Sequence, residues 1–262
     1  MRPDLFAARR STLSTRLFSG LLRQFFALRN FRDADAARFA ARAVPLVRGT
    51  QRTLAALVAA QHAQEVLRQT GRAVAPPRMS DLVSVDLRGV DPHDVYTRPF
   101  RSIYAELARS DNMTEAVSRG AQRLEQIVEG DMQLTHAHAS REAVTQLRAR
   151  YWRRTLIGDE NCALCVLAST VKYSLDVLKP IHLFCDCEVV AVYNRKDDPV
   201  KNEAALVARA YAAAREATSA NDGRPVDYRQ VRTRITADHG ELGSLLVYPN
   251  QRFTAESDAL NA

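Results

Sequence analysis

Glycine and proline are scarce in this chain, with ten of each among 262 residues, and there is a single tryptophan. Alanine, leucine and arginine are plentiful instead, and all three favour helices. This balance argues against a strand-rich sandwich. We therefore predict a mainly α protein, with long helices in its first half and a small α+β knuckle domain on the carboxyl side.

Long apolar runs are also missing. No stretch reaches the roughly 18 apolar residues that a membrane span requires. Arginines interrupt the N-terminal apolar segments, so these do not form the continuous core of a secretory signal. We expect no membrane association and synthesis in the cytoplasm, where clustered cysteines stay reduced and more often bind metal than pair.

The common catalytic motifs are absent as well. The sequence has no His-Glu-x-x-His, no Gly-x-Ser-x-Gly, no phosphate-binding Gly-x-x-x-x-Gly-Lys-Ser/Thr loop and no zinc-deaminase signature. His136 and His138 fall on a predicted helix, where this spacing points the two rings to different sides. They are therefore not expected to bind one metal ion, and we expect the protein not to be an enzyme.

Charge is unevenly distributed along the chain. The formal net charge is +7, yet residues 1–60 alone hold eleven arginines against three aspartates, a net charge of +8. The remaining residues are therefore close to neutral. Such a basic segment suggests an acidic partner, and arginine suits phosphate or carboxylate because its planar fork contacts two oxygens at once. A solvated helix face is the alternative interpretation.

All four cysteines lie in one window, as two close pairs. Cys162 and Cys165 are separated by two residues, Cys185 and Cys187 by one, and His182 precedes the second pair by three. Two pairs joined by a loop of this length are typical of a tetrahedral zinc site, which takes four ligands from thiolates and imidazoles. The sequence thus offers five candidate ligands for a structural zinc ion.

The spacing leaves other chemistry open. The same cysteines could form one or two disulfides, or remain buried free thiols, and His182 could replace one cysteine or only support a ligand. Two residues between Cys162 and Cys165 suit a tight turn that aims both sulfurs at one point. An extended chain at Cys185 and Cys187 would place both side chains on one face.

Periodic apolar residues predict the elements. A basic amphipathic helix or helix pair is expected over residues 4–30, and Asp33 is expected to cap a helix that ends or kinks at Pro45. A second helix stops near Gly71. Residues 79–93 are predicted to form a loop or strand, and helices are predicted from Asp94 onwards. One of these is a long helix, interrupted at Gly130, that is expected to reach Tyr151, with Trp152 in the core. Beyond it we predict a turn at residues 156–161, a strand from Val189 and a helix over residues 202–217. The predicted domains are residues 1–75, 76–152 and 153–262.

The cysteine window resembles the core of a known family. Its successive segments are Arg153-Arg154-Thr155-Leu156, Asn161-Cys162-Ala163-Leu164-Cys165 and Ile181-His182-Leu183-Phe184-Cys185-Asp186-Cys187. This pattern resembles the phage Mu F-like head morphogenesis family, the minor head proteins of tailed phages, in the form found in actinobacterial phages. The specific likeness covers residues 153–193 and 240–254, where His239-Gly240-Glu241-Leu242-Gly243-Ser244 and Phe253-Thr254 resemble the family's ending.

The resemblance implies a minor capsid protein inside the virion, formed in the host cytoplasm. The implied partners are the portal protein and the scaffold or major capsid protein, with packaged DNA as a partner of the basic N-terminal arm. The family brings no catalytic residue to this sequence. Two other functions remain as alternatives, a zinc-knuckle nucleic-acid-binding protein and a capsid maturation protease.

Overall fold

The computed structural model describes residues 3–79, 87–157, 160–175, 187–198, 203–221, 223–224, 232–235 and 244–247. Within these ranges the chain forms six α-helices and five β-strands. The helices are α1 (Pro3–Phe26), α2 (Asp33–Thr70), α3 (Pro92–Leu107), α4 (Met113–Gln146), α5 (Ala163–Ser169) and α6 (Glu203–Ala220). The strands are β1 (Tyr151–Thr155), β2 (Glu160–Cys162), β3 (Glu188–Val192), β4 (Arg232–Ile235) and β5 (Ser244–Val247). The predicted class, mainly α with a small α+β part, is confirmed.

Helices α1 to α4 pack around a group of aromatic rings. Phe25 of α1 lies 5.4 to 5.6 Å, between ring centroids, from Phe31, Phe39 and Phe100, in edge-to-face geometry. Each such pair contributes roughly 0.5–1.5 kcal/mol beyond the area it buries. Because these rings come from α1, α2, α3 and the turn between α1 and α2, they fix the relative positions of three helices. Helix α1 is therefore docked on the other helices and is not a detached arm.

The helix that was predicted to end or kink at Pro45 does not end there. Helix α2 continues through this proline for 38 residues in all. Pro45 is exposed, whereas Val44 and Val47 on either side of it are buried. Burying two valines is worth about 1.5–3 kcal/mol each, enough to offset the cost of about 3 kcal/mol for a proline inside a helix. At the amino end Arg32, and not Asp33, occupies the N-cap position.

Helix α2 ends where predicted. Gly71 adopts a left-handed conformation, with φ 71°, and its N–H donates to the carbonyl of Leu67. Gln69, two residues earlier, is hydrogen-bonded to the backbone of the α+β part. Its Nε2 donates to the carbonyl of Ala191 at 2.7 Å, and its Oε1 accepts from the N–H of Tyr193 at 2.7 Å. The side chain of Gln69 thus fastens the end of α2 to β3.

Helix α4 differs from the prediction at two points. It runs without interruption through Gly130, which is buried, and it ends at Gln146, before Tyr151. Arg148 then takes a left-handed conformation, with φ 54°. This turn lets Tyr151 begin β1, whose backbone gains partners in β3 that a longer helix would not provide. Trp152 is fully buried, as predicted, but in a strand.

Two small antiparallel sheets make up the carboxyl part. Strand β1 pairs with β3, with Trp152 opposite Ala191, and the other sheet has the order β2-β4-β5. The predicted strand from Val189 and the helix predicted over residues 202–217 are confirmed. Residues 80–86 of the segment 79–93 lie outside the described residues, and Pro92 begins α3. The three domain boundaries remain predictions.

Gly120 gives a test of the helix packing. An added Cβ there would lie 2.8 Å from Cγ1 of Ile103 and 2.9 Å from Cζ of Phe25. Because both neighbours are held in the core, Gly120→Ala should lower the free energy of unfolding by about 1–2 kcal/mol despite the better helix propensity of alanine.

Urea unfolding of Gly120→Ala and Gly49→Ala provides the measurement. Gly49 lies in α2 and has no atom within 4 Å of its added Cβ, so its alanine variant should gain up to about 1 kcal/mol. A Gly120→Ala protein as stable as the unmodified chain would contradict the close approach of α1, α3 and α4.

Candidate functional site

Three of the five predicted metal ligands lie together. Cys162 is the last residue of β2 and the N-cap of α5, Cys165 is in the first turn of α5, and Cys187 directly precedes β3. All three side chains are buried and in contact as one group, which we call the sulfur cluster. His182 and Cys185 lie outside the described residues.

The start of α5 sets the geometry of the first pair. Because Cys162 caps the helix, its Sγ accepts a hydrogen bond from the N–H of Cys165 at 3.3 Å. The Sγ atoms of Cys162 and Cys165 are 3.1 Å apart. The turn predicted at residues 156–161 does not include residues 160 and 161, which lie in β2. The sulfurs of Cys162 and Cys165 are positioned instead by the first turn of α5.

The distance between the two Sγ atoms matches neither a zinc site nor a disulfide bond. Two thiolates on one tetrahedral zinc lie about 3.8 Å apart, as follows from Zn–S bonds of about 2.3 Å, and a disulfide bond is about 2.05 Å long. The observed Sγ–Sγ distance of 3.1 Å lies between these two values. Cys162, Cys165 and Cys187 are free thiols. Within the described ranges, which include these three cysteines, no group of three or more His, Cys, Asp or Glu side chains is arranged to hold a metal ion.

A buried arginine lies beside the sulfur cluster. Nη1 of Arg154 is 3.3 Å from Sγ of Cys187, and its guanidinium lies over the ring of Trp152, 5.2 Å from the centroid. Tyr173 stacks on that tryptophan at 4.3 Å. A cation in this position stabilises negative charge on sulfur, and the thiolate is the form that binds metal. The side chains of Leu156 and Leu164 pack against the cluster and shield it.

The neighbouring Arg153 points to the opposite face of β1. Its Nε lies 2.5 Å from Oδ1 of Asp198, and its Nη1 donates to the carbonyl of Thr170 at 2.6 Å. Tyr151 donates its hydroxyl to the same Asp198 at 2.8 Å. These contacts bind the segment after β3 and the end of α5 to β1, which holds both sides of the sulfur cluster in place.

A second buried group, which we call the polar cluster, consists of Arg10, His62, His136 and Glu188. Nε of Arg10 lies 2.8 Å from Oε1 of Glu188, and Nε2 of His136 lies 2.9 Å from Oε2. Burial raises the pKa of Glu188, but the attraction of His136 and Arg10 outweighs burial and holds that pKa below its ordinary value. The cluster connects α1, α2 and α4 to β3.

His62 is the member that cannot easily take up a proton. Burial, together with repulsion from His136, lowers the pKa of His62 to about 3, and Glu188 opposes this only in part. Its Nδ1 is buried without a hydrogen-bond partner among the described residues. No sequence pattern marks this cluster, because its members are far apart in the chain.

The exposed surface of α1 is basic. Arg9, Arg16 and Arg23, which we call the basic face, are exposed and recur every seven residues. Two helical turns separate neighbouring members, so they form one line with a spacing of about 10.5 Å. Leu17 and Leu21 face the core on the other side of the helix. Three of the arginines that make residues 1–60 basic therefore lie on the surface of a docked helix.

None of the described helices is both long enough and apolar enough to cross a membrane. Protein-family models, curated proteins and solved structures give no match to the chain. The sulfur cluster and the basic face are therefore the features from which we infer function.

The buried His62 predicts sensitivity to mild acid. Between about pH 6.5 and 3 the unfolded chain binds a proton at this position that the folded chain does not. The free energy of unfolding should therefore fall as the pH decreases through this window, by up to about 1.4 kcal/mol per pH unit.

Urea unfolding of the unmodified protein and of His62→Gln at pH 7.5, 6.5 and 5.5 isolates this effect, because other titrating groups are shared. His138, whose pKa burial lowers as well, contributes equally to both proteins. The glutamine variant should show the shallower dependence on pH. Equal slopes for the two proteins would be incompatible with a neutral buried His62.

Proposed function

We propose that this chain is a minor head protein of a tailed phage, of the phage Mu F-like head morphogenesis class. It acts without catalysis in head assembly and in DNA packaging or delivery. The observation that supports this most strongly is the joining of Cys162, Cys165 and Cys187 in one buried cluster. Those cysteines belong to the motif that resembles the family, and their contact supports a shared structural role for them.

The proposed partners are the portal protein and the scaffold or major capsid protein, inside the virion and, during assembly, in the host cytoplasm. A docked helical body with a firmly attached α+β part suits a component that transmits contacts between larger assemblies. The basic face of α1 would meet packaged DNA, because three exposed guanidinium groups in a line can follow a row of phosphates.

We further propose that the sulfur cluster holds a structural zinc ion. Cys162, Cys165 and Cys187 would supply three ligands, and Cys185 or His182 the fourth. Zinc would close the carboxyl part by tying β2 and α5 to the start of β3. The negative charge of three or four thiolates in a buried site would be offset by Arg154, which already contacts Cys187.

A zinc-knuckle nucleic-acid-binding protein is the second candidate function. The basic face supports it, because Arg9, Arg16 and Arg23 are exposed, whereas the acidic groups nearest in the chain are few. In that case DNA affinity would fall steeply with salt, because binding releases counterions from the phosphates, and no portal partner would be needed.

Metal analysis tests the zinc proposal. Protein purified under reducing conditions should hold about one zinc per chain, and Cys162→Ser with Cys165→Ser should hold none, as expected for a four-ligand site. Losing even about 2 kcal/mol of stability would lower the Tm of a chain of this size by about 4–8 °C.

Two controls separate the alternatives. A chelator should lower the Tm of the unmodified protein and leave that of the double variant unchanged. Thiol titration of the denatured protein without reductant should find four thiols, whereas one disulfide would leave two. Single variants Cys185→Ser and His182→Ala identify the fourth ligand. Zinc-free protein with all four thiols reduced would rule the proposal out.

Co-expression tests the assembly role. The gene should lie beside a gene for a portal protein, and the two proteins produced together should co-elute in size-exclusion chromatography. The double cysteine variant should co-elute less, because the metal-free carboxyl part loses its closure. A folded chain that never associates with portal, scaffold or major capsid protein would exclude this function and favour the second candidate.

A further inference from the structure

A cleft of about 310 Å³ lies where α1 ends and α2 begins. Its floor includes Phe39, which is buried, and its rim is polar. The lining residues are Gln24, Ala27, Leu28, Arg29, Asn30, Asp35, Arg38, Phe39 and Arg42. Three guanidinium groups and one carboxylate thus border the same space, which we call the arginine cleft.

The carboxylate in the cleft is already engaged. Arg38 forms an ion pair with Asp35, and the N–H of Asn30 donates to Oδ2 of the same aspartate at 3.3 Å. The hydrogen bond from Arg38 is the largest influence on Asp35 and, against some burial, holds its pKa below the ordinary value. Asp35 therefore remains ionised and balances one of the three arginines.

The other two arginines are exposed and available. Arg29 and Arg42 make no hydrogen bond or ion pair with any described residue. The cleft thus carries about two positive charges in excess of its one carboxylate. Gln24 adds a buried Oε1 without a partner in the described part of the chain. Rotation of that side-chain amide by 180° would exchange Oε1 for the NH₂ group, which is a hydrogen-bond donor.

The walls of the cleft are fixed before any ligand arrives. Phe31 in the connecting turn has φ 51°, a conformation unusual for a residue with a side chain. Its ring packs against Phe25, and its carbonyl accepts a hydrogen bond from the hydroxyl of Tyr104 at 2.8 Å. A site whose walls are held in this way loses little conformational entropy when it binds a ligand.

The basic face leads to this cleft. Ala27, one of its lining residues, follows Arg23 by one helical turn, and its N–H donates to the carbonyl of Arg23 at 3.1 Å. Residues four apart lie on the same side of a helix. The line from Arg9 through Arg16 to Arg23 therefore ends at the wall of the arginine cleft.

We propose that the arginine cleft binds a phosphate ester through Arg29, Arg38 and Arg42. Guanidinium groups donate two parallel hydrogen bonds to phosphate oxygens, and two excess positive charges match the charge of a phosphate dianion or of two adjacent diesters. The phosphate belongs either to a small free ligand or to a polynucleotide backbone that follows the basic face. The second source would deepen the DNA contact proposed above.

The test uses the full-length chain and two probes, inorganic phosphate measured by calorimetry and a DNA duplex of about 20 base pairs measured by fluorescence anisotropy over a range of salt. The variant Arg29→Gln with Arg42→Gln removes the two unpaired groups. The control Arg141→Gln with Arg215→Gln makes the same change in charge at exposed positions that do not line the cleft.

The cleft variant should bind phosphate at least about tenfold more weakly, as expected when charge-assisted hydrogen bonds are lost. The control should stay within about twofold, since solvent and salt screen distant charges. If DNA supplies the phosphate, the slope of log affinity against log salt should also decrease by about 1.8 in the cleft variant alone.

Each outcome decides one point. Phosphate binding that depends on the cleft, with DNA binding unchanged, assigns the site to a small phosphate ester. Dependence of both probes assigns it to a polynucleotide. If neither probe depends on Arg29 and Arg42 more than on the control arginines, the proposal is wrong. Zinc content and portal association are measured separately, so failure of the minor head function would not be confused with failure of the cleft.

Discussion

The helical body formed by α1 to α4 is joined to the α+β part through the buried carboxylate of Glu188. Glu188 is the first residue of β3 and directly follows Cys187. Its carboxylate pairs with Arg10 of α1 and with His136 of α4. Removing one partner of a buried ion pair leaves an uncompensated charge and costs roughly 3–5 kcal/mol. The position of β3, and with it that of Cys187, is therefore fixed by the helical body as well as by the pairing of β3 with β1.

The sulfur cluster follows from that placement. Arg154 on β1 reaches Cys187 because Thr155 and Arg154 pair with the first two residues of β3. Cys162 and Cys165 approach from the other side through the cap of α5. A metal ion or a disulfide would then act on an arrangement that strand pairing and helix capping have already prepared.

The sequence predicted what local patterns determine. Apolar periodicity located the helices, Gly71 marked the end of α2, and the spacing of Cys162 and Cys165 indicated sulfurs that meet. The helix ends or interruptions predicted at Pro45 and Gly130 are absent. Burial of the neighbouring side chains stabilises each helix by more than the single proline or glycine destabilises it. The polar cluster could not be predicted, since residues as distant as Arg10 and Glu188 meet only through tertiary packing. The arginine cleft could not be predicted because it depends on the left-handed turn at Phe31, which no sequence pattern marks.

Helices α1 and α2 both extend from the arginine cleft to the α+β part, yet the two sites are supported differently. The cleft is held by Phe25, Phe31 and Phe39 in the aromatic core, whereas the sulfur cluster is held by strand pairing, capping and Arg154. If the sulfur cluster holds the proposed zinc ion, its loss would loosen β2, α5 and β3 and leave the aromatic core intact. The cleft should therefore keep its shape in metal-free protein, and a phosphate ester bound there as proposed should stabilise the helical body under both conditions.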